Sequence, residues 1–528
     1  MTAARLAEAG RSVLVLERGK AYPPGSFPRT PWEIGRAFWD PSESLHGLYD
    51  VWSFHRLDSI VSSGLGGGSL IYANVILRRP ESWFADQGDE RWPIGPADLE
   101  EHYEAVEREL GATPYPWADT TPKTRRFREA ADVTGLGWRE VNLAVSFAES
   151  PGAEPEAGVA LTGPRTLHGM QRSTCRRCGE CDVGCNFGAK NTLDHTYLTR
   201  AHRAGADIRT LCDVVAIEPV GGGDGSEGWT VRYRVHDGGR TGHLTEPDEG
   251  PYLREVEADR VILAAGTFGT QLLLRRNANR LPRLSPRLGE GISANGDLLT
   301  FAARCDDDRP LHPHDGPVIT TAIEKVDGPG GFYLQDAGFP AIGEWLFHAL
   351  GLAEDIWEER RELFRLLMRA LQKKREANIS GELAALGGRG ATSACLLPLL
   401  GMGRDVPDGR LGIDEQQRLT CDWAVDRSRP FFEAVMNAAG IMTRELGGEL
   451  WDTAIGELER VVTVHPLGGC RMGEDASLGV VDTWGAVHGC EGLYVCDGSV
   501  MPGAVGANPS LTIAAFAERV AAGVVAAG

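Results

Sequence analysis

A chain of 528 residues with 42% hydrophobic content can bury a large core and form two or three domains, or one intertwined pair. Its formal net charge of −20 argues against a nucleic-acid partner, because phosphate binding needs a basic surface. The same charge suits an uncharged or cationic substrate better than a polyanion.

Thr2 to Gly10 carries helix formers and a glycine stop, and Ser12 to Leu16 is a short apolar run ending in Glu17. Helix, strand and terminal acid make the second half of a dinucleotide-binding βαβ unit, in which the acid holds the adenosine ribose hydroxyls. The first strand and the G-x-G-x-x-G turn, where a pyrophosphate meets free helix N–H groups, are expected upstream, with Met1 inside the natural helix. Chance co-occurrence is the alternative, which the later motifs decide. These residues lack the basic n-region of a signal peptide.

Gly64-Leu65-Gly66-Gly67-Gly68-Ser69-Leu70-Ile71-Tyr72-Ala73-Asn74 is a glycine-dense loop entering an apolar segment. Three consecutive glycines let backbone approach a flat ring or a phosphate without interference from Cβ atoms. Further on, Cys175-x2-Cys178-x2-Cys181-x3-Cys185 has the spacing of a bacterial-ferredoxin [4Fe–4S] loop. Glycines at 179, 184 and 188 give it freedom to wrap a cubane, whereas Asn186 replaces the usual proline after the fourth cysteine. Three states stay open: an iron–sulfur cluster, zinc on four thiolates, or reduced cysteines without metal. The 11 cysteines are an odd number in a long chain, so a secreted disulfide framework is not expected.

Gly221 to Gly228 reads as a surface hairpin loop. Residues 256–270, VEADRVILAAGTFGT, read as a buried strand breaking at Ala265-Gly266. Residues 354–376 form an amphipathic helical pattern, packed on a domain surface or, as the alternative, dipping into a membrane interface to collect a lipid substrate. No apolar run approaches the roughly 20 residues of a membrane span, so a cytoplasmic protein is expected, with peripheral membrane contact resting on that helix alone.

The last quarter is denser in motifs. Val464-His465-Pro466-Leu467-Gly468-Gly469-Cys470 is followed by Cys496-Asp497-Gly498-Ser499, Met501-Pro502-Gly503 and Asn508-Pro509-Ser510-Leu511-Thr512. An amphipathic helix, Ala514 to Ala527, starts just past Asn508. The HPLGGC and DGS…PG…NP pieces, with the half βαβ unit, the glycine loop and the 256–270 strand, resemble the glucose–methanol–choline (GMC) oxidoreductases. Gly-Ala-Asn-Pro after HPLGGC is most similar to the bacterial cholesterol oxidases. Gly188 to Leu198 resembles the family's lead-in to an FAD-domain helix, which puts the cysteine quartet inside the family body.

The resemblance implies an α/β and α+β fold. A Rossmann-like FAD-binding domain (1–80, 195–298 and 484–528) is interleaved with a substrate domain (81–194 and 299–483) on a large, mostly antiparallel sheet. It implies FAD contacts by Glu17, Gly66, Gly67, Gly68, Ser69, Asn74, Val214, Gly266, Asp497, Gly498, Asn508, Pro509 and Ser510. His465 and Asn508 match the catalytic pair; imidazole can bond an alcohol hydroxyl and titrates near neutrality. Alignment on Pro340-Ala341 puts Gln335, beside Asp336, where cholesterol oxidases carry a glutamate base. Gln cannot act as a base, so ketosteroid isomerisation is not expected. Tyr72 stands where many relatives have Asn, and Asn74 is expected to compensate.

The expected reaction is FAD-dependent oxidation of a hydrophobic alcohol, a 3-hydroxysterol such as cholesterol, with O2 or an electron-transfer partner as acceptor. Two alternatives stand beside it. One is an FAD dehydrogenase of another alcohol that passes electrons through an iron–sulfur cluster; the other is a truncated, flavin-deficient non-enzyme.

Overall fold

The computed structural model describes residues 1–29, 33, 35–85, 92–236, 253–281, 284–306, 308–328, 330–339, 395–451 and 460–527. The segment at 354–376 lies outside them, and the membrane-surface alternative with it. Among the described residues, no helix is long and apolar enough to cross a membrane.

The first residues fold as their pattern dictates. Thr2–Glu8 is a helix that buries Thr2, Ala4 and Ala7. Those small residues let it lie against both Tyr197–Arg203 and the C-terminal helix Ser510–Ala526. Leu14–Leu16 pairs in parallel with Asp207–Arg209, and Val261–Leu263 pairs in parallel with Leu493–Val495. The helix Pro96–Glu109 runs along Ser510–Ala526, with Tyr103 Oη 3.0 Å from Thr512 Oγ1. Their apolar faces share one core with Leu493, Val495 and Leu467.

The stretch 256–270, expected as one strand, is two. Leu253–Ala258 closes an antiparallel sheet with Trp229–Val235 and Cys212–Pro219. Val261–Leu263 then enters the other sheet, and the helix Gly266–Arg276 begins at the expected break. The reason is a change of period. Glu255, Val256, Glu257 and Ala258 alternate, as a half-exposed antiparallel strand must, whereas Val261-Ile262-Leu263 is uniformly apolar, as parallel strands are. The loop 221–228 joins the antiparallel strands Cys212–Pro219 and Trp229–Val235, as its composition implied.

The second half is built on six antiparallel strands in the order Glu449–Trp451, Leu298–Ala303, Leu397–Gly403, Phe332–Asp336, Thr321–Lys325 and Trp138–Glu140. Helices Pro122–Thr134 and Arg429–Glu445 cover one face. There Phe127, Ala131, Phe432, Val435 and Met442 pack on Leu298, Ala302, Leu334, Leu397 and Leu399. Side chains alternate along a strand, so Leu299, Phe301, Pro398 and Leu400 turn the other way, into a large cavity. Buried Lys123 closes the helix-covered face by donating to Asp336 at 3.0 Å and to the Val318 carbonyl.

Candidate active site

Between the two halves lies a cavity of about 3480 Å³. A drug-sized ligand needs roughly 300–1,000 Å³, so there is room for a dinucleotide and a substrate together. Its floor holds Leu16, Glu17, Gly66, Gly67, Gly68, Ser69, Val214, Gly266, Asp497, Gly498, Asn508, Pro509 and Ser510. Its far wall is the open face of the six-stranded sheet: Leu299, Phe301, Pro398 and Leu400, with Val318, Ile319 and Phe339 beside them. His465 lines the same cavity.

His465 is held by a partner that sequence reasoning missed. The backbone at Ser293 pairs with Leu467 through two hydrogen bonds of 3.1 and 3.0 Å. This pairing is close because Gly468 carries no side chain; a Cβ there would fall 2.0 Å from the Gly291 carbonyl oxygen. Segment 293–297 therefore runs beside 463–467, and the 2% exposed Asp297 carboxylate accepts from His465 Nδ1 at 2.8 Å. Thr463 Oγ1 and the Val464 N–H donate to the same carboxylate at 2.7 and 3.0 Å. With Nδ1 committed, the imidazole keeps Nε2 for the cavity. The only local hint of Asp297 is the run Ser293-Ala294-Asn295-Gly296-Asp297, whose polar residues are all buried.

Asn508 lies at the mouth of Ser510–Ala526, and its amide is clamped from behind. Gln335 donates from Nε2 to Asn508 Oδ1 at 2.7 Å, and Asn508 Nδ2 donates back at 3.4 Å. Gln335 is fully buried in the sheet and lines no part of the cavity, so it acts on the site through Asn508. Asn295 braces the approach to Asn508, donating to the Ala507 carbonyl and accepting from the Gly506 N–H.

The floor fits a dinucleotide. A Cβ added at Gly67, Gly68 or Gly266 meets nothing within 4 Å, so these glycines face open space that a ligand can fill. Ser69 Oγ donates to the Gly66 carbonyl and accepts from the Leu193 N–H, which pins the loop. Burial raises the Glu17 carboxyl to about 7, against the Gly19 N–H and the neighbouring Arg18, and one of its oxygens already accepts from Gly19 at 2.7 Å. Asp497 is committed to the protein. It takes the Gly266 N–H and Thr270 hydroxyl on one oxygen and both donors of Ser499 on the other, fixing the start of Gly266–Arg276. Burial holds its carboxyl above the ordinary value.

Asn74 departs from expectation. Its backbone is left-handed (φ 69°), its side chain is fully buried, and it lies beside Cys181 and away from the cavity lining. Tyr72 takes the cavity wall, its hydroxyl donating to the Asn191 carbonyl at 3.3 Å. The four cysteines of the quartet gather around a separate, small void.

Two GMC oxidoreductase family models match, one over residues 156–292 and one over 406–517. The cholesterol oxidase of Mycobacterium tuberculosis is 30% identical over 99% of this chain and 88% of its own length. That of Acinetobacter baumannii is 28% identical over 98% and 91%. Pyridoxine 4-oxidase from Mesorbium loti shares the fold, with a TM-score of 0.59 at 18% identity over 99% of this chain and 96% of that one. Near-complete alignment at this identity, on a cavity whose floor suits a dinucleotide, means that the chain belongs to the GMC oxidoreductases, a family of FAD-binding alcohol oxidoreductases.

Proposed function

We propose that this chain oxidises a hydrophobic secondary alcohol, a 3-hydroxysterol in the first instance, to the ketone. The observation that carries the reading is His465, anchored on Asp297 and lining a cavity that one face of the sheet makes apolar. FAD, when bound, supplies the hydride acceptor. The residues that would hold it are Glu17 at the ribose and Gly66, Gly67, Gly68, Ser69, Val214 and Gly266 along the floor. Gly498, Asn508, Pro509 and Ser510 would sit at the ring end.

His465 Nε2 accepts a hydrogen bond from the substrate hydroxyl and takes its proton as the carbinol hydride leaves. Asp297 keeps that tautomer in place and offsets the positive charge the imidazole acquires, the part played by the buried aspartate of a hydrolytic triad. Asn508 Oδ1 is satisfied by Gln335, which aims the remaining Nδ2 hydrogen at the substrate oxygen or the ring. The N-terminus of Ser510–Ala526 offers a positive dipole end to negative charge developing nearby. Leu299, Phe301, Leu400 and Phe339 give an apolar steroid skeleton surface to bury at about 25 cal/mol per Å². Among the described residues, no carboxylate from the sheet lines this wall. With Gln335 committed to Asn508 and unable to act as a base, isomerisation is not expected and the product is the unconjugated ketone.

Anaerobic addition of a 3β-hydroxysterol to the purified flavoprotein is expected to bleach the flavin bands and yield ketone ahead of any conjugated enone. Bleaching by a sugar or a small terpenoid alcohol alone would remove the sterol from this reading. Conjugated enone formed as fast as ketone would remove the stated role of Gln335.

A further inference from the structure

We propose that Cys175, Cys178, Cys181 and Cys185 hold a [4Fe–4S] cluster behind the wall of the active-site cavity. The four cysteines line one void, together with Arg176, Glu180, Lys190 and Gly316. None of them is in a disulfide. Convergence on one void does not choose between iron–sulfur and zinc, but the spacing does.

All four cysteines fall within eleven residues, the run of a bacterial-ferredoxin cubane, whereas four-cysteine zinc sites pair two C-x2-C units about 15–20 residues apart. The void between the thiols is about 20 Å³, so the thiols would have to part to admit a cluster.

The surroundings present hydrogen-bond donors to the sulfurs. The Arg177 N–H donates to Cys175 Sγ at 3.4 Å. Backbone N–H groups of Glu180 and Val318 face Cys178 and Cys181. Hydrogen bonds of this kind to cluster sulfurs set reduction potentials. The Asn74 amide is fully buried, and neither its Oδ1 nor its Nδ2 has a hydrogen-bond partner of normal geometry; the polar group beside it is the Cys181 sulfur. Lys190, 1% exposed, supplies the nearby cation. It donates to the carbonyls of Cys181, Tyr72 and Leu70 at 2.6, 2.8 and 3.1 Å, tying the quartet to the glycine loop. Asp182 and Val183, between the third and fourth cysteines, are themselves part of the cavity wall.

One consequence rests on the reaction proposed above. An alcohol going to ketone releases two electrons and two protons. Across a cluster the electrons leave singly, so two equivalents of a one-electron carrier of the ferric-haem type are reduced per ketone formed, and both protons pass to solvent. The cluster site itself does not depend on which alcohol is used.

Protein produced and purified without oxygen is analysed for iron, zinc and acid-labile sulfide, and its dithionite-reduced form by low-temperature EPR. About four irons and about four sulfides per chain, with the EPR signal of a reduced cubane, are expected. Cys181→Ala is expected to lose most of the iron and to keep its flavin. One zinc per chain, three irons, or four titratable thiols with no metal would each overturn the assignment. Should Cys181→Ala fail to fold, the wild-type metal count still decides. Flavin bleaching by alcohol is read separately, so loss of the sterol reading leaves the metal count untouched.

Discussion

Asp297 determines what His465 can do. As a carboxylate it only accepts, so His465 Nδ1 must carry the proton and Nε2 must be the base. Asp297→Asn puts an amide N–H opposite Nδ1, which favours the opposite tautomer and leaves Nε2–H facing the substrate. The rate of flavin reduction should then fall on the order of 10²- to 10⁴-fold, the usual worth of a positioned base. Flavin content and substrate affinity should change little. Stopped-flow reduction at several substrate concentrations separates the two, and a wild-type limiting rate would dismiss the dyad. His465 and Asn508 were legible because each sits in a short motif whose neighbours announce it. Asp297 was not, because it lies 168 residues from His465 and the two meet through long-range backbone pairing of 289–293 with 467–469. Asn74 misled for the opposite reason: two positions past the wall residue Tyr72, its left-handed backbone aims the amide at Cys181.

At the scale of elements, the glycines of two motifs serve different ends. Gly67 (φ 56°) borders open cavity, whereas Gly468 (φ 87°) lies against the strand Glu290–Ile292. Gly67→Ala accepts about 1–2 kcal/mol of left-handed strain and pushes a methyl into the dinucleotide space. It should give a folded protein with a low ratio of flavin to protein absorbance. Gly468→Ala drives a Cβ into backbone that cannot swing aside, so it should lower the thermal midpoint even without flavin and scatter the His465 loop. Equal flavin occupancy in Gly67→Ala and wild type would remove the loop from the cofactor site. Both motifs could be read in the chain because their chemistry is local. The division at 259–260 was missed, since 256–270 was read as one strand, although the change from alternating to uniform apolar residues marks it. The order of the six-stranded sheet was not readable residue by residue, since its neighbours come from segments up to about 185 positions apart and long-range pairing leaves no local mark; the mostly antiparallel sheet was expected only through family resemblance.

In the whole molecule, two halves closing on one cavity leave acids buried in a chain of net charge −20. Burial raises Glu17 from 4.5 to about 7 and Asp182 from 3.8 to about 6, and both line the cavity. For Glu17 the folded value lies above the unfolded one. Between about pH 4.5 and 7 the folded chain therefore keeps a proton that the unfolded chain has released. Its contribution to stability is fully present below pH 4.5 and is lost as pH rises through 7. FAD affinity should run the other way, because ribose hydroxyls donate to the ionised carboxylate, and binding to it releases the proton. Flavin-free protein should thus lose stability across this window while FAD binds more tightly. Glu17→Gln should flatten both trends, matching wild type in stability near pH 4.5 and exceeding it near pH 7.5. Urea midpoints of the flavin-free chain and FAD titrations, each stepped through the same pH values for both proteins, test the two trends independently. Parallel pH curves for wild type and Glu17→Gln in both experiments would show that Glu17 is ionised from the start and that its carboxylate does not hold the ribose.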